Sequence, residues 1–288
     1  MVLSILNTSS PDALYDSLAK IFSAPRHMIE YAVIRNTAAF QRLSSAEEVD
    51  LKSIKKTIED KTGTETIMGD FDYATVTHLT TRSESSVRNP EPIYNLHDLL
   101  LRDTELSMKL RESGITFSKS KNGIDTYLNG ELVDWETMIP RSNEEPCIRM
   151  VMRRLQPNRF FPEADKCING FLFGGDIWEN SDVRHIVVMP EFAENILRVL
   201  SKHKAINDWR ATVKPYVITF QVPISGIVFD GSNKLNRRQT QLRLVRHAFY
   251  YLSKIRQDEW DQWYNPIIRL DDELSVDANQ VLSITPVI

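Results

Sequence analysis

The stretch PYVITFQVPI, residues 215–224, reads as a β-strand: Tyr216, Ile218, Phe220 and Val222 fall on one face, Thr219 and Gln221 on the other. That two-residue alternation marks a strand with one buried side. From about Asn236 to Gln257 the period changes, and Leu242, Val245, Phe249 and Leu252 recur at helical spacing. Strands and helices are mixed along the chain without strict alternation, and no internal repeat is visible. These features predict an α+β fold rather than a doubly wound parallel sheet.

The first quarter reads as helix. Ser10, Pro11 and Asp12 form a cap, a first-turn proline and an acid that offsets the helix dipole. A second helix is expected from Pro25 towards Leu43. A third is expected from Ser45, with Glu48 completing a capping box, to Gly63, and carries Leu51, Ile54 and Ile58 on one side. This suggests a helical segment over residues 1–66 and a second domain over 67–288.

The second domain opens on the strand FDYATVTHLTTR, where Ala74, Val76 and His78 share a face opposite Thr75, Thr77 and Leu79. A loop, SESSVRNPEP, leads to a helical stretch around LHDLLLRDTELSMKLRESG. NGELVDWETM and CINGFLFGG read as turn-and-strand pieces, and HIVVM is a short apolar run before a helix near Pro190. The final stretch, NPIIRLDDELSVDANQVLSITPVI, reads as two strands around an acidic loop. Trp260 and Trp263 are expected to anchor the end of the preceding helix in the core.

With 288 residues the chain can bury a proper core. A net charge of −4 and a pI near 5.9 make the whole molecule no obvious polyanion binder. Cys147 and Cys167 lack CxxC spacing, which argues against a disulfide framework or a zinc ribbon and suits a reducing compartment. No basic stretch precedes the short apolar start, and no apolar run approaches the ~20 residues of a membrane span. A cytoplasmic protein without membrane contact is expected.

Phosphate-cradling glycine loops, HExxH, the zinc-deaminase signature and the GxSxG elbow are all missing. The six histidines are scattered without paired spacing, so no metal site is expected. Three segments retain chemistry: VTHLTTR with an imidazole, hydroxyls and Arg82; INGFLFGG with Phe171 and Phe173 on one strand face; and RLDDELSV with Asp271, Asp272 and Glu273.

The serial order of a histidine-bearing strand, an aromatic-bearing strand and a glutamate near the last strand resembles the histidine–tyrosine–glutamate branch of the ADP-ribosyltransferase superfamily. The TH-hydroxyl setting of His78 and the Gly114–Ile115 pair are similar to the opening of DarT-like bacterial toxins. The resemblance spans roughly residues 70–288 and implies a split mixed and antiparallel sheet, with NAD as substrate and no metal. It implies His78 and Glu273 as catalytic residues. It also implies that Thr77, His78, Arg82, Phe171 and Phe173 bind NAD, His78 holding the nicotinamide ribose and one phenylalanine stacking on nicotinamide. Phenylalanine stands where the family has tyrosine, which keeps stacking but loses a hydroxyl.

Such an enzyme would act as an intracellular toxin or phage-defence effector on a nucleic acid or protein acceptor. Arg237, Arg238, Arg243 and Arg246 make helix 236–257 basic around its apolar stripe, and this face could meet nucleic acid. The helical first quarter could receive an antitoxin or regulator. Two other readings stay open. One is a non-catalytic interaction module of a toxin–antitoxin or mobile-element system. The other is a metal-dependent nuclease using Asp176, Glu179, Asp271 and Asp272.

Overall fold

The computed structural model describes residues 4–141, 143–158 and 161–287. Strand β1 (Ile5–Leu6) leads into helix α1 (Pro11–Ile21), where the Ser10 hydroxyl accepts from the amide of Ala13 as the sequence predicts. Helix α2 (Arg26–Phe40) starts after Pro25. The third helix begins later than expected. Ser45 and Glu48 frame only a 3-10 turn at Ala46–Glu48, and the Glu48 carboxylate turns back to Ser44. Asp50 caps α3 (Leu51–Thr62) instead, accepting from Lys52, and Gly63 closes it at φ 70°.

Strand β2 (Tyr73–Arg82) ends at Ser83, which caps a short helix α4 (Glu84–Arg88) where the sequence suggested a loop. Helices α5 (Leu96–Leu101) and α6 (Glu105–Glu112) follow, each with a side-chain cap, at Asn95 and Thr104. Strands β3 (Ile115–Lys119), β4 (Ile124–Leu128) and β5 (Glu131–Leu132) form a small antiparallel sheet. Helix α7 (Glu145–Leu155) precedes β6 (Asn169–Phe171). The apolar run near residue 186 is a 3-10 turn, Arg184–Val187, ahead of α8 (Glu191–Val199) and α9 (His203–Thr212). Then come β7 (Lys214–Pro223), β8 (Ile227–Phe229), α10 (Arg237–Arg256), β9 (Ile267–Leu270) and β10 (Val281–Pro286).

The larger, seven-stranded sheet runs β10, β7, β2, β6, β9, β8, with β1 paired to β2 in parallel. The fold class is α+β. By Cα proximity the chain forms two compact units. The first holds the described residues up to Thr77, Gly170–Ile177 and Thr219–Arg269. The second holds His78–Asn169, Trp178–Ile218 and the described residues from Leu270 onward.

In the first unit α1, α2, α3 and α10 pack together, with Phe22 meeting Phe249 edge to face at 5.7 Å between ring centroids. The buried hydroxyls of Thr8 and Thr75 are matched to each other. Thr8 lies 2.7 Å from the Thr75 hydroxyl and also donates to the carbonyl of Leu172. Gly170 lies opposite the same strand, and any Cβ on it would come 2.5 Å from Val76 Cγ1 and 2.8 Å from the Thr77 carbonyl oxygen. A glycine is therefore what lets β6 sit against β2, in the register Thr77↔Phe171.

The second unit has its own core. Leu110, Ile115, Ile124, Val151 and Leu155 pack with Ala193, Ile196 and Trp209. The Trp209 indole N–H is satisfied by the Thr81 hydroxyl at 3.0 Å. That bond ties α9 to the end of β2.

Candidate functional site

His78 stands on β2 with Nδ1 2.7 Å from the carbonyl oxygen of Asn169. A carbonyl only accepts, so Nδ1 carries the proton and Nε2 presents a lone pair. Among the described residues nothing donates to that lone pair. Burial pushes the imidazole down to about 4. The nearby Arg82 charge acts in the same direction, and the bond to Asn169 only partly opposes it. His78 is therefore neutral at physiological pH, as an acceptor of a ligand hydroxyl needs.

This has a measurable consequence. The unfolded imidazole titrates near 6.5 and the folded one near 4, so as pH falls the unfolded chain takes up the proton first. The stability contributed by neutral His78 is full above about 6.5 and lost progressively towards 4. The urea midpoint is expected to fall between about pH 7 and about pH 5, and to fall less in His78→Gln.

Arg82 closes β2. Burial weakens its hold on its proton, and Glu91 and Glu105 partly restore it. Among the described residues Arg82 makes no direct hydrogen bond or ion pair. Glu105 is instead occupied by the Ser86 hydroxyl at 2.7 Å and the Ser83 amide at 3.3 Å. A half-buried guanidinium with no carboxylate on it is open to an anionic ligand.

The stretch 166–169 lies against both ends of the candidate chemistry. At one end Asn169 accepts from His78, and Ile168 accepts from the Leu270 amide at 2.9 Å. At the other, Lys166 Nζ reaches Glu273 Oε1 at 2.5 Å. Asn95 steadies the turn, donating to the carbonyl of Asp272 at 3.1 Å. Lys166 and Asn169 are three residues apart, at most about 10 Å of extended chain. Glu273 is solvent-facing, its side chain 79% exposed. His78 and Glu273 thus flank one short segment, without a hydrogen bond between them.

The other candidates are placed differently. Thr77 is wholly buried, and its hydroxyl makes no hydrogen bond among the described residues. Phe171 is buried. Phe173 is stacked on Tyr251 at 4.0 Å and meets the edge of Trp260 at 5.6 Å. Its backbone is bracketed by the Asn265 side chain, with both bonds at 3.0 Å. Phe173 is a core residue whose ring is taken up by protein. Trp260 joins that cluster, but Trp263 is 61% exposed and anchors nothing, because the 3-10 turn Gln262–Tyr264 directs it outward.

The arginines of α10 are matched to acids. Arg237 binds Asp72 at 2.7 Å and the Phe71 carbonyl at 3.1 Å, Arg238 binds Asp70 at 3.3 Å, and Arg243 and Arg246 both approach Glu47. Neither Cys147 nor Cys167 is in a disulfide, and among the described residues no three His, Cys, Asp or Glu side chains are grouped to hold a metal. Among the described residues no helix is long and apolar enough to cross a membrane.

Lys166, Asn169 and Asn265 escape a reading of the sequence. Asn169 acts through its backbone carbonyl, which leaves no trace in residue identity. Asn265 did carry a signal, the Asn-Pro turn pair before β9.

No family model, curated protein or solved structure matches this chain.

Proposed function

We propose that the protein is an NAD-consuming ADP-ribosyltransferase that acts as a toxin or defence effector on a nucleic acid or protein acceptor. The observation that carries this reading is the neutral, half-buried His78, its Nε2 lone pair unengaged among the described residues, with Arg82 likewise unpaired among them. An imidazole in that state accepts a hydrogen bond from a ribose hydroxyl, and Arg82 offers a counter-charge for the pyrophosphate.

In the reaction the bond between ribose C1′ and the nicotinamide nitrogen breaks, and its electron pair leaves with nicotinamide. Positive charge develops on the sugar. The Glu273 carboxylate stabilises that charge more in the transition state than in the ground state. The acceptor's nucleophilic atom then bonds to C1′, and its proton passes to Glu273. The ion pair with Lys166 is expected to yield as substrate enters. Phe171 pairs with Thr77 and so shares Thr77's face of the sheet, opposite to that of the next residue along β2, and Phe173 is stacked in the core, so neither phenylalanine is used.

Purified protein incubated with NAD and cell lysate is expected to release nicotinamide, with label appearing on nucleic acid or protein. Glu273→Gln is expected to lower that release by about 10²-fold or more, because a carboxylate aimed at developing charge contributes on that scale. No turnover by either protein across diverse acceptors overturns the reading.

One observation also suits the alternative, an interaction module without catalysis. The α1–α2 turn and the residues after α3 line a surface cleft of about 620 Å³, with Phe22, Pro25, Met28 and Ile67 on its walls. Ile67 is 66% exposed there. An antitoxin or regulator that docks through these helices would fit both readings, so the NAD assay decides between them.

A further inference from the structure

On α10, residues 243, 246 and 247 share one face, being three and four apart. All three heads converge on a single carboxylate, that of Glu47 in the 3-10 turn after α2. Arg243 Nε contacts Glu47 Oε1, Arg246 Nη1 lies 3.9 Å from Oε2, and His247 Nε2 lies 3.7 Å from Oε1. Arg243 Nε is engaged by the Glu47 carboxylate, whereas Nε of Arg246 and Nε2 of His247 are buried and complete no hydrogen bond among the described residues. An ordinary surface ion pair sets one cation against one anion and leaves spare donors in water. Here two guanidiniums and an imidazole face one carboxylate, and the spare donors are out of water. Buried donors in that state are costly and point to a missing acceptor.

The heads are also held in place. Arg243 lies 4.1 Å over the Phe229 ring, and its Nη1 donates to the Ser232 hydroxyl at 2.9 Å. The His247 ring stacks on Phe229 at 5.3 Å and 20°. Glu47, by contrast, is 44% exposed on a short turn. His247 and then Arg243 hold its carboxyl below the usual range.

We propose that Glu47, Arg243, Arg246 and His247 form a phosphoryl-binding site that the Glu47 carboxylate fills when no ligand is bound. A tetrahedral phosphoryl group brings more acceptor oxygens and more charge than the carboxylate, and guanidinium forks match it. The group can come from a free nucleotide or from a nucleic acid backbone. The site lies wholly within the first unit and does not rest on NAD chemistry at His78, so each can fail without the other.

The test is phosphate binding to the full chain, followed by calorimetry at low ionic strength. Glu47→Gln keeps shape and removes the competing charge, so inorganic phosphate is expected to bind about tenfold tighter than to wild type. Adding Arg246→Gln is expected to remove that gain. An oligonucleotide that binds more tightly with length, and more tightly than a nucleoside monophosphate, identifies the backbone as the source. Equal binding of the two identifies a free nucleotide. Should Glu47→Gln fail to fold, wild type serves: phosphate should raise its melting temperature, and Arg246→Gln should abolish the rise. Glu47→Gln binding no tighter than wild type, or phosphate stabilisation that Arg246→Gln leaves intact, overturns the proposal.

Discussion

Replacing His78 with alanine is expected to lower nicotinamide release from NAD by about 10²–10³-fold, the scale on which loss of one preorganised hydrogen-bonding group acts. The reasoning rests on one atom. Nδ1 is committed to the Asn169 carbonyl, so any ligand contact must be made by Nε2. Alanine deletes both nitrogens and leaves that carbonyl without its donor, which costs roughly 1–3 kcal/mol of stability where the group is buried. The assay is therefore run well below the variant's melting temperature, beside a circular-dichroism melt. Loss of turnover in a folded variant supports the catalytic assignment. Wild-type turnover in a folded variant removes His78 from the mechanism.

The largest effect on stability is expected at Phe173, where alanine should cost about 3–5 kcal/mol. The ring is almost completely buried, with Tyr251 on one face and the edge of Trp260 beside it. Truncation leaves a cavity that this rigid aromatic stack cannot refill. At ~2–4 °C per kcal/mol for a domain of this order, the thermal midpoint should fall by about 10 °C. Tyr251 supplies a second readout, since burial pushes its hydroxyl up to about 12. Opening the cluster to water should lower that value, as alkaline titration of tyrosine absorbance would register. A small thermal shift would show that the Phe173 ring is not part of the core.

Local signals accounted for much of the architecture. Ser10 and Gly63 bound their helices as their chemistry predicts, and the alternation in 215–224 and 73–82 gave strands. The cap at Ser45 misled because a better acceptor, Asp50, lay five residues on. The site was partly legible. His78 and Arg82 stood out as polar groups on and beside an apolar strand. The tautomer of His78 was not legible, since it depends on a backbone carbonyl 91 residues away. The basic face of α10 was visible in sequence, but its acids come from Glu47, Asp70 and Asp72, which only the fold brings to it.

The composition of the first unit also sets an order of events during synthesis. Helices α1 and α2 bury their apolar faces partly against α10, some two hundred positions further along the chain. On a ribosome those faces emerge early and wait for their partner until most of the polypeptide has been made. Contacts so distant in sequence form slowly, and unburied apolar helices invite association in the meantime. A nascent chain of this kind is most open to capture by a binding partner before it is finished.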